Sequence, residues 1–155
     1  MANKKNSGRN KLRTYKLFKT NFTLEPYLTK VKCTQHRKAL CQLRVSSHQL
    51  NIETLRGKIK DPSLRLCEQC TLAKTEDEMH FLMECHHYKD LRANALREIS
   101  HSQSNFQYLD HINQFIWLMS NEDTAICKSI GKFIYEAFTK RKKALTAVTT
   151  LSSSI

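Results

Sequence analysis

Four residues with soft, metal-binding side chains lie within a stretch of 19 residues and constrain this chain more than any other feature. They follow the spacing Cys67-x2-Cys70-x9-His80-x4-Cys85. Three thiolates and one imidazole form the tetrahedral ligand set of a closed, structural zinc site, which leaves no open position for a reactive water. The spacing therefore predicts a zinc knuckle at residues 67–85, with Zn²⁺ as a structural cofactor.

The segment between the second and fourth ligands predicts a short helix. Thr75-x-x-Glu78 has the form of a capping box, which would open a helix that carries His80. Cys85 follows His80 by five residues, or roughly 140° further round a regular helix at ~100° per residue. Both side chains can reach one ion only if the helix ends or distorts before Cys85.

The cysteine and histidine side chains also allow other assignments. His86 or His87 can take the place of Cys85 as the fourth ligand. Buried thiols without a metal are a common fate of cysteine and are the simplest alternative to the zinc site. A second metal site would use Cys33, His36 and Cys41. Without such a site, we expect Cys33, Cys41 and Cys127 to be buried or free thiols.

Three motifs follow one another between residues 40 and 92. They are Ser47-His48-x-Leu50-x-Ile52-Glu53, then Leu66-Cys67-x2-Cys70, then Glu76-Asp77-Glu78-x-His80-Phe81-Leu82-x2-Cys85-x2-Tyr88-x2-Leu91-Arg92. Together they resemble the zinc-binding segment that follows the polymerase domain in non-LTR retrotransposon reverse transcriptases. Looser similarity in the flanks extends the resemblance over most of the chain. The resemblance implies a role in engaging template RNA and target DNA.

A reverse transcriptase also needs carboxylates that hold two metal ions, and this chain lacks the pair that usually supplies them. It has no Asp-Asp pair, and its aspartates stand singly at Asp61, Asp77, Asp90, Asp110 and Asp123. At 155 residues it is also too short for a polymerase and an endonuclease. We therefore expect a detached C-terminal piece of such an element that is not an enzyme and has no small-molecule substrate.

Positive charge is concentrated at the N-terminal end. The chain has a formal charge of +12, and residues 1–44 hold 12 lysine and arginine side chains against one acid, Glu25. A field of this sign attracts phosphate backbones and gives an affinity that falls with salt. The sequence thus predicts RNA or DNA as the partner, bound by Arg13, Lys16, Lys19, Arg37, Lys38 and Arg44.

Other interpretations of the basic and aromatic residues stay open. The charges are alternatively a solvated face without a partner. A second basic run, Lys140-Arg141-Lys142-Lys143, suits either a nucleic-acid or nuclear-localisation patch or the C-terminal end of a helix. Aromatic residues that alternate with the N-terminal charges either stack on single-stranded bases or face a core; they are Tyr15, Phe18, Phe22 and Tyr27.

Helical periodicity dominates the remaining sequence. Apolar residues recur at three- and four-residue steps from Tyr88 to Ile99, from Phe106 to Met119, and in a stripe from Ile126 to Phe138. Gly131 inside the last stripe predicts a close contact with another helix. The predicted fold is mainly α, a small helical domain with an embedded Cys-Cys-His-Cys zinc knuckle and room for a short β-hairpin.

The sequence also predicts how the chain is divided. We expect residues 1–10 to form a basic disordered leader, residues 11–145 a single helical domain, and residues 146–155 a frayed tail. There is no run of 18 apolar residues and no hydrophobic N-terminal segment. We therefore expect an intracellular protein, in the nucleus or cytoplasm, with no membrane contact.

Two classes of function are compatible with these features. The favoured one is a nucleic-acid-binding module arranged by a zinc core, without polymerase or nuclease activity of its own. The alternative treats zinc as scaffolding, either in a protein–protein interaction module or in an inactive retroelement relic. In the interaction module, an exposed part of the stripe from Ile126 to Phe138 would dock a partner helix.

Overall fold

One long helix, α6 (Thr124–Ser152), packs against most of the longer helices in this computed structural model, which describes residues 12–101 and 105–152. Asp123 caps the start of α6, because its carboxylate accepts hydrogen bonds from the amides of Ala125 (2.8 Å) and Ile126 (3.1 Å). The buried side of the helix carries most of the predicted apolar stripe, namely Ile126, Ile130, Phe133, Ile134 and Ala137.

The other helical elements are shorter. Four of them contact α6 directly: α1 (Tyr27–Lys30), α2 (Thr34–Arg44), α4 (Lys89–Ser100) and α5 (His111–Ser120). A further single turn, α3 (Asn51–Thr54), follows α2 in the chain. Short 3₁₀ turns lie at Tyr15–Leu17, Pro62–Leu64, His86–Tyr88 and Phe106–Tyr108, and a π-helical turn lies at His80–Glu84.

Helices α2 and α6 approach each other closely at Gly131. A Cβ atom at this position would lie 3.2 Å from the carbonyl oxygen of His36 in α2. The close helix contact predicted from this glycine is therefore confirmed. The apolar residues of the stripe from Ile126 to Ala137 are buried in the same packing, and Phe138 at its end is half-buried.

The segment that holds Cys67 and Cys70 doubles back on itself. Leu66 and Thr75 pair in one isolated antiparallel bridge, flanked by main-chain hydrogen bonds of 2.8 and 2.9 Å. Within the described residues, the β-hairpin allowed by the sequence is reduced to this bridge. The predicted fold class is confirmed: the domain is mainly helical, with the Cys-Cys-His-Cys group embedded in it.

The N-terminal part of the described chain packs around Arg44, the last residue of α2. The guanidinium carbon of Arg44 lies 4.5 Å from the ring centroid of Phe18 and 5.0 Å from that of Tyr27. The guanidinium donates to Glu25 at 2.7 Å and to the carbonyl of Met119. The sequence predicts that Arg44 binds nucleic acid, whereas the structure buries it. Burial is tolerated because Glu25 neutralises the charge and the aromatic rings cover the guanidinium.

The two ends of the chain are only partly described. Residues 1–10, for which the sequence predicts a disordered leader, lie outside the described residues. Helix α6 continues to Ser152, through positions where the sequence predicts a frayed tail. Across 12–101 and 105–152, no helix is both long enough and apolar enough to cross a lipid bilayer.

Candidate metal centre

Cys67, Cys70, His80 and Cys85 converge at one point of the domain. Their ligand atoms all lie within 4.8 Å of one another. The Sγ atoms of Cys67 and Cys85 are 3.8 Å apart, and Cys70 Sγ lies 3.4 Å from Nε2 of His80. Three of the four residues are buried and Cys70 is half-buried. The group could therefore hold a metal ion.

The distances fit the ligand set of a tetrahedral zinc ion. Bonds of ~2.3 Å to sulfur and ~2.0–2.1 Å to nitrogen place two sulfur ligands about 3.8 Å apart, and a sulfur and a nitrogen ligand about 3.5 Å apart. The observed separations are 3.8 Å and 3.4 Å. All six cysteines are free thiols, so no disulfide competes for the ligands.

A π-helical turn brings His80 and Cys85 to the same side of the chain. The amide of Cys85 donates to the carbonyl of His80, five residues earlier, at 2.8 Å. The backbone then leaves the helix, with φ −57° and ψ 123° at Cys85. The predicted distortion before Cys85 is confirmed, and it takes the form of one turn widened by an extra residue.

The turn begins at a different cap from the predicted one. The carboxylate of Asp77 accepts a hydrogen bond from the amide of His80 at 2.8 Å. Thr75 lies in the β-bridge, and the carboxylate of Glu78 is bound by residues outside the segment. The prediction of a Thr75–Glu78 capping box is therefore wrong, because both residues have tertiary partners that the local spacing does not reveal.

Cys85, not a neighbouring histidine, completes the group. His86 is exposed, and the ring of His87 packs edge-on against Tyr88 with their centroids 4.9 Å apart. Among residues 12–101 and 105–149, no second group of potential ligands converges. The alternative second site therefore does not form from Cys33, His36 and Cys41.

A carboxylate supports the histidine ligand. Nδ1 of His80 lies 3.4 Å from Oε2 of Glu84, and Lys74 donates to the same oxygen at 2.9 Å. Such a carboxylate orients a histidine ring and leaves its Nε2 for a metal. Burial lowers the pKa of His80, but hydrogen bonds with Cys67 and Glu84 outweigh it and keep the pKa above its ordinary value. Sequence reasoning missed Glu84, although its i, i+4 spacing from His80 was a usable signal.

The buried thiols of Cys67 and Cys85 lie close enough to shift each other's pKa. Their mutual hydrogen bond, together with burial, raises the pKa of Cys67 to about 12, whereas the same hydrogen bond lowers the pKa of Cys85. Two anionic sulfurs 3.8 Å apart repel each other unless a cation lies between them. A bound metal ion would supply that positive charge and displace the thiol protons.

Two arginines hold the knuckle to the helices: Arg141 is buried and Arg92 is half-buried. Arg141 of α6 donates to both carboxylate oxygens of Glu76, at 2.8 and 2.6 Å, and Glu76 also accepts from the amide of Asn51 at 2.7 Å. Arg92 of α4 donates to the carbonyl of Cys85 at 2.7 Å. Sequence reasoning missed both supports, because helical periodicity does not show which polar residues of α4 and α6 face the knuckle. Arg141 therefore belongs to the interior, although the sequence groups it with a basic patch.

Three of the six basic residues predicted to bind nucleic acid form salt bridges within the domain. Arg13 pairs with the buried carboxylate of Glu78 at 2.7 Å. Lys19 and Arg44 share the carboxylate of Glu25, at 2.8 and 2.7 Å. These cations bind the N-terminal segment to the domain, and their charge is neutralised where they lie.

The other three predicted residues are more open. Arg37 is half-buried and donates to the carbonyl of Val31 at 2.8 Å. Lys16 and Lys38 are exposed. The aromatic residues considered for base stacking mostly face inward, with Phe18 and Tyr27 buried, Tyr15 half-buried and Phe22 exposed.

Comparisons with known proteins add no relative: no family model, no curated protein and no solved structure matches the chain. The basis for a functional proposal is therefore the ligand geometry, the distribution of charge and the resemblance in the sequence motifs.

Proposed function

We propose that this chain is a zinc-stabilised nucleic-acid-binding module, similar to the segment that follows the polymerase in non-LTR retrotransposon reverse transcriptases, with no polymerase or nuclease activity of its own. The convergence of four sulfur and nitrogen ligand atoms within 4.8 Å carries the metal part of the proposal. A closed set of four such ligands is typical of a structural site. Zinc would be held by Cys67, Cys70, His80 and Cys85, and its binding would stabilise the folded knuckle.

The net charge of +12 supports a polyanionic partner. Because Arg13, Lys19 and Arg44 are committed to internal salt bridges, the partner would meet exposed basic side chains such as Lys16 and Lys38. Phosphate backbones are common to RNA and DNA, and binding to them weakens steeply with salt. A reducing compartment, the nucleus or the cytoplasm, would keep the thiols available for zinc.

Native mass spectrometry of the protein purified with zinc tests the metal part. We expect one zinc ion per chain in the parent and none in the Cys67→Ser/Cys70→Ser variant. Cys33→Ser changes an exposed cysteine outside the group and, as the matched control, should keep one zinc ion. A folded, reduced parent that carries no zinc contradicts the proposal.

Fluorescence anisotropy with labelled RNA and DNA tests the binding part. The zinc-loaded protein should bind, and log Kobs should fall linearly with the logarithm of salt concentration. Removal of zinc by a chelator should weaken binding, because the ordered knuckle supports α6 through Glu76 and Arg141. A zinc-loaded parent that binds neither RNA nor DNA at low salt contradicts the nucleic-acid function.

A further inference from the structure

The side of α6 that faces away from the core carries a row of lysines. Lys128, Lys132, Lys142 and Lys143 are all exposed. At about 100° per residue they fall within an arc of about 100°, opposite the buried stripe centred near Ile130 and Ala137. At 1.5 Å per residue the row extends over roughly 22 Å. We call these four residues the lysine row.

The positive charge of the lysine row is not neutralised by salt bridges. Within the described ranges, no ion pair involves any of the four lysines. The lysines and arginines that do form ion pairs there are Arg13, Lys19, Arg44, Arg56, Lys74 and Arg141. Although the sequence concentrates its excess charge before residue 45, the folded chain neutralises part of that charge and leaves the α6 lysines open.

A groove beside the first half of the row adds further basic groups. It has a volume of about 420 Å³ and lies between the start of α2 and the start of α6, where Lys32 and His36 face Lys128 and Lys132. The contact between Gly131 and the backbone of His36 fixes the spacing of the two helices at this point. The groove therefore presents Lys32, just before α2, beside Lys128 and Lys132 of α6.

Acidic side chains also lie beside this surface. Glu98 of α4 also lines the groove, and its carboxylate accepts a hydrogen bond from Ser129 at 2.8 Å. Glu136 is half-buried at the margin of the row. Within α6, the six lysine and arginine residues are accompanied by Glu136 as the one acid. The surface as a whole is strongly cationic.

We propose that the lysine row and the adjoining groove bind the phosphate backbone of a double-stranded nucleic acid, without reading its sequence. This inference rests on the proposed function and assigns it a surface and a partner class. A duplex carries one phosphate charge per ~1.7 Å of its axis, a dense line of charge that a row of roughly 22 Å can follow. Lysines held on a helix contact phosphates as point charges and carry no base-reading geometry.

The same surface lacks the platforms that single-stranded binding requires. Proteins that bind single strands stack the bases on exposed aromatic rings. Within the described length of α6, Tyr135 falls in the same arc as the row, but its ring is half-buried and packs against His36 with ring centroids 5.4 Å apart. In the N-terminal segment, the rings of Tyr15, Phe18 and Tyr27 surround Arg44, and Phe22 is exposed. Phosphate contacts to a duplex are therefore favoured over base stacking.

Paired substitutions along the row test the inference. We would compare the zinc-loaded parent with Lys128→Gln/Lys132→Gln and with Lys142→Gln/Lys143→Gln, each at exposed positions. Lys58→Gln/Lys60→Gln removes the same charge from exposed positions between α3 and Cys67 and is the matched control. Circular dichroism and zinc content should be the same for all four proteins, because no buried residue is changed.

We would measure the binding of a labelled DNA duplex from about 50 to about 200 mM KCl. A duplex of about 12 base pairs is roughly twice as long as the row, at ~3.4 Å per base pair. Each row variant should bind about tenfold more weakly, and the slope of log Kobs against log salt should become shallower by about 1.8, or ~0.9 per lost phosphate contact. The control should stay within about twofold of the parent. The matched single strand should bind more weakly than the duplex.

The outcomes separate this inference from the proposed function. If the parent binds neither nucleic acid, both fail. If the parent binds but the row variants behave like the control, the lysine row is not the binding surface and the proposed function stands. Tighter binding of the single strand than of the duplex overturns the choice of partner.

Vesicles of phosphatidylcholine and phosphatidylserine test a membrane as the alternative polyanion. If the row variants lose more vesicle binding than duplex binding, the surface binds a membrane and the inference is overturned.

Discussion

The amide of Cys85 donates to the carbonyl of His80 at 2.8 Å, and this one hydrogen bond sets the relative position of two potential metal ligands. An i→i+5 bond widens the turn, so that two side chains five residues apart lie on one side of it. Glu84, inside the turn, reaches back to the second nitrogen of His80. The turn therefore supplies two ligands and one supporting carboxylate from a single continuous segment.

The position of Cys85 in this turn predicts that its histidine neighbours cannot replace it. Cys85→Ser should lower zinc affinity by at least about 100-fold, more than the 10–100-fold cost typical of losing a supporting residue. His86→Ala should have little effect, because the side chain is exposed and outside the group. Competition with a chromophoric zinc chelator measures both affinities. Near-parental zinc affinity in Cys85→Ser would mean that His86 or His87 supplies the fourth ligand.

The buried pair between Arg141 and Glu76 predicts a large loss of stability when one partner is removed. Arg141→Met should lower the free energy of unfolding by about 3–5 kcal/mol, because it leaves the carboxylate of Glu76 buried without its counterion. Urea unfolding of the zinc-loaded protein, followed by circular dichroism, measures the change. Lys142→Met, at the next and exposed position of α6, should change stability by less than about 0.5 kcal/mol.

A double-mutant cycle distinguishes the ion pair from lost packing. The carboxylate of Glu76 accepts a hydrogen bond from the amide of Asn51 at 2.7 Å. Glu76→Gln removes the negative charge but keeps an oxygen that can accept this hydrogen bond. The double variant Glu76→Gln/Arg141→Met should be more stable than the sum of the two single losses predicts, by about 2 kcal/mol. Additive losses would show that the two side chains stabilise the fold independently.

Local spacing was enough to predict the ligand group and the distortion at Cys85. All four ligands lie within residues 67–85. Regular helix geometry places His80 and Cys85 on different sides, so the helix must end or distort before Cys85 for both to bind one ion. The stripe of α6 and the close contact at Gly131 were predictable for the same reason, since helical periodicity is a local property.

Long-range charge pairing was not predictable in this way. The local sequence predicts that Arg44 lies on the surface. Its burial is possible because the carboxylate of Glu25, 19 residues away, pairs with its charge. Arg141 meets Glu76 across 65 residues, and Arg13 meets Glu78 across the same separation. Which basic residues stay open to a partner depends on these pairings, so the sequence identifies the total charge better than it identifies the binding surface.

The contact at Gly131 predicts opposite effects for two glycine substitutions. Gly131→Ala should lower the free energy of unfolding by about 1–3 kcal/mol, because the added methyl group meets the rigid backbone of His36 at 3.2 Å and forces α2 and α6 apart. This cost exceeds the gain in helix propensity of up to about 1 kcal/mol. Gly57→Ala meets nothing within 4 Å and should be neutral or stabilising by up to about 1 kcal/mol. Thermal and urea unfolding measure both; a stabilised Gly131→Ala contradicts the tight helix contact.

The carboxylate of Glu25 predicts part of the acid sensitivity of the fold. Burial raises the pKa of Glu25, but the hydrogen bond from Lys19 and the charge of Arg44 outweigh it, so the folded pKa lies below its ordinary value of 4.5. A lowered pKa gives stability that is complete above the unfolded pKa and is lost as pH falls through the folded pKa.

Glu25→Gln should therefore lower the free energy of unfolding by about 2 kcal/mol at neutral pH, where a charged hydrogen-bond partner is lost. The difference from the parent should shrink as pH falls below 4.5. Urea unfolding across this pH range measures the difference, and Glu122→Gln, at an exposed acid, should follow the parent throughout. A Glu25→Gln difference that stays constant down to the lowest pH would show that the charge of Glu25 does not stabilise the buried Arg44.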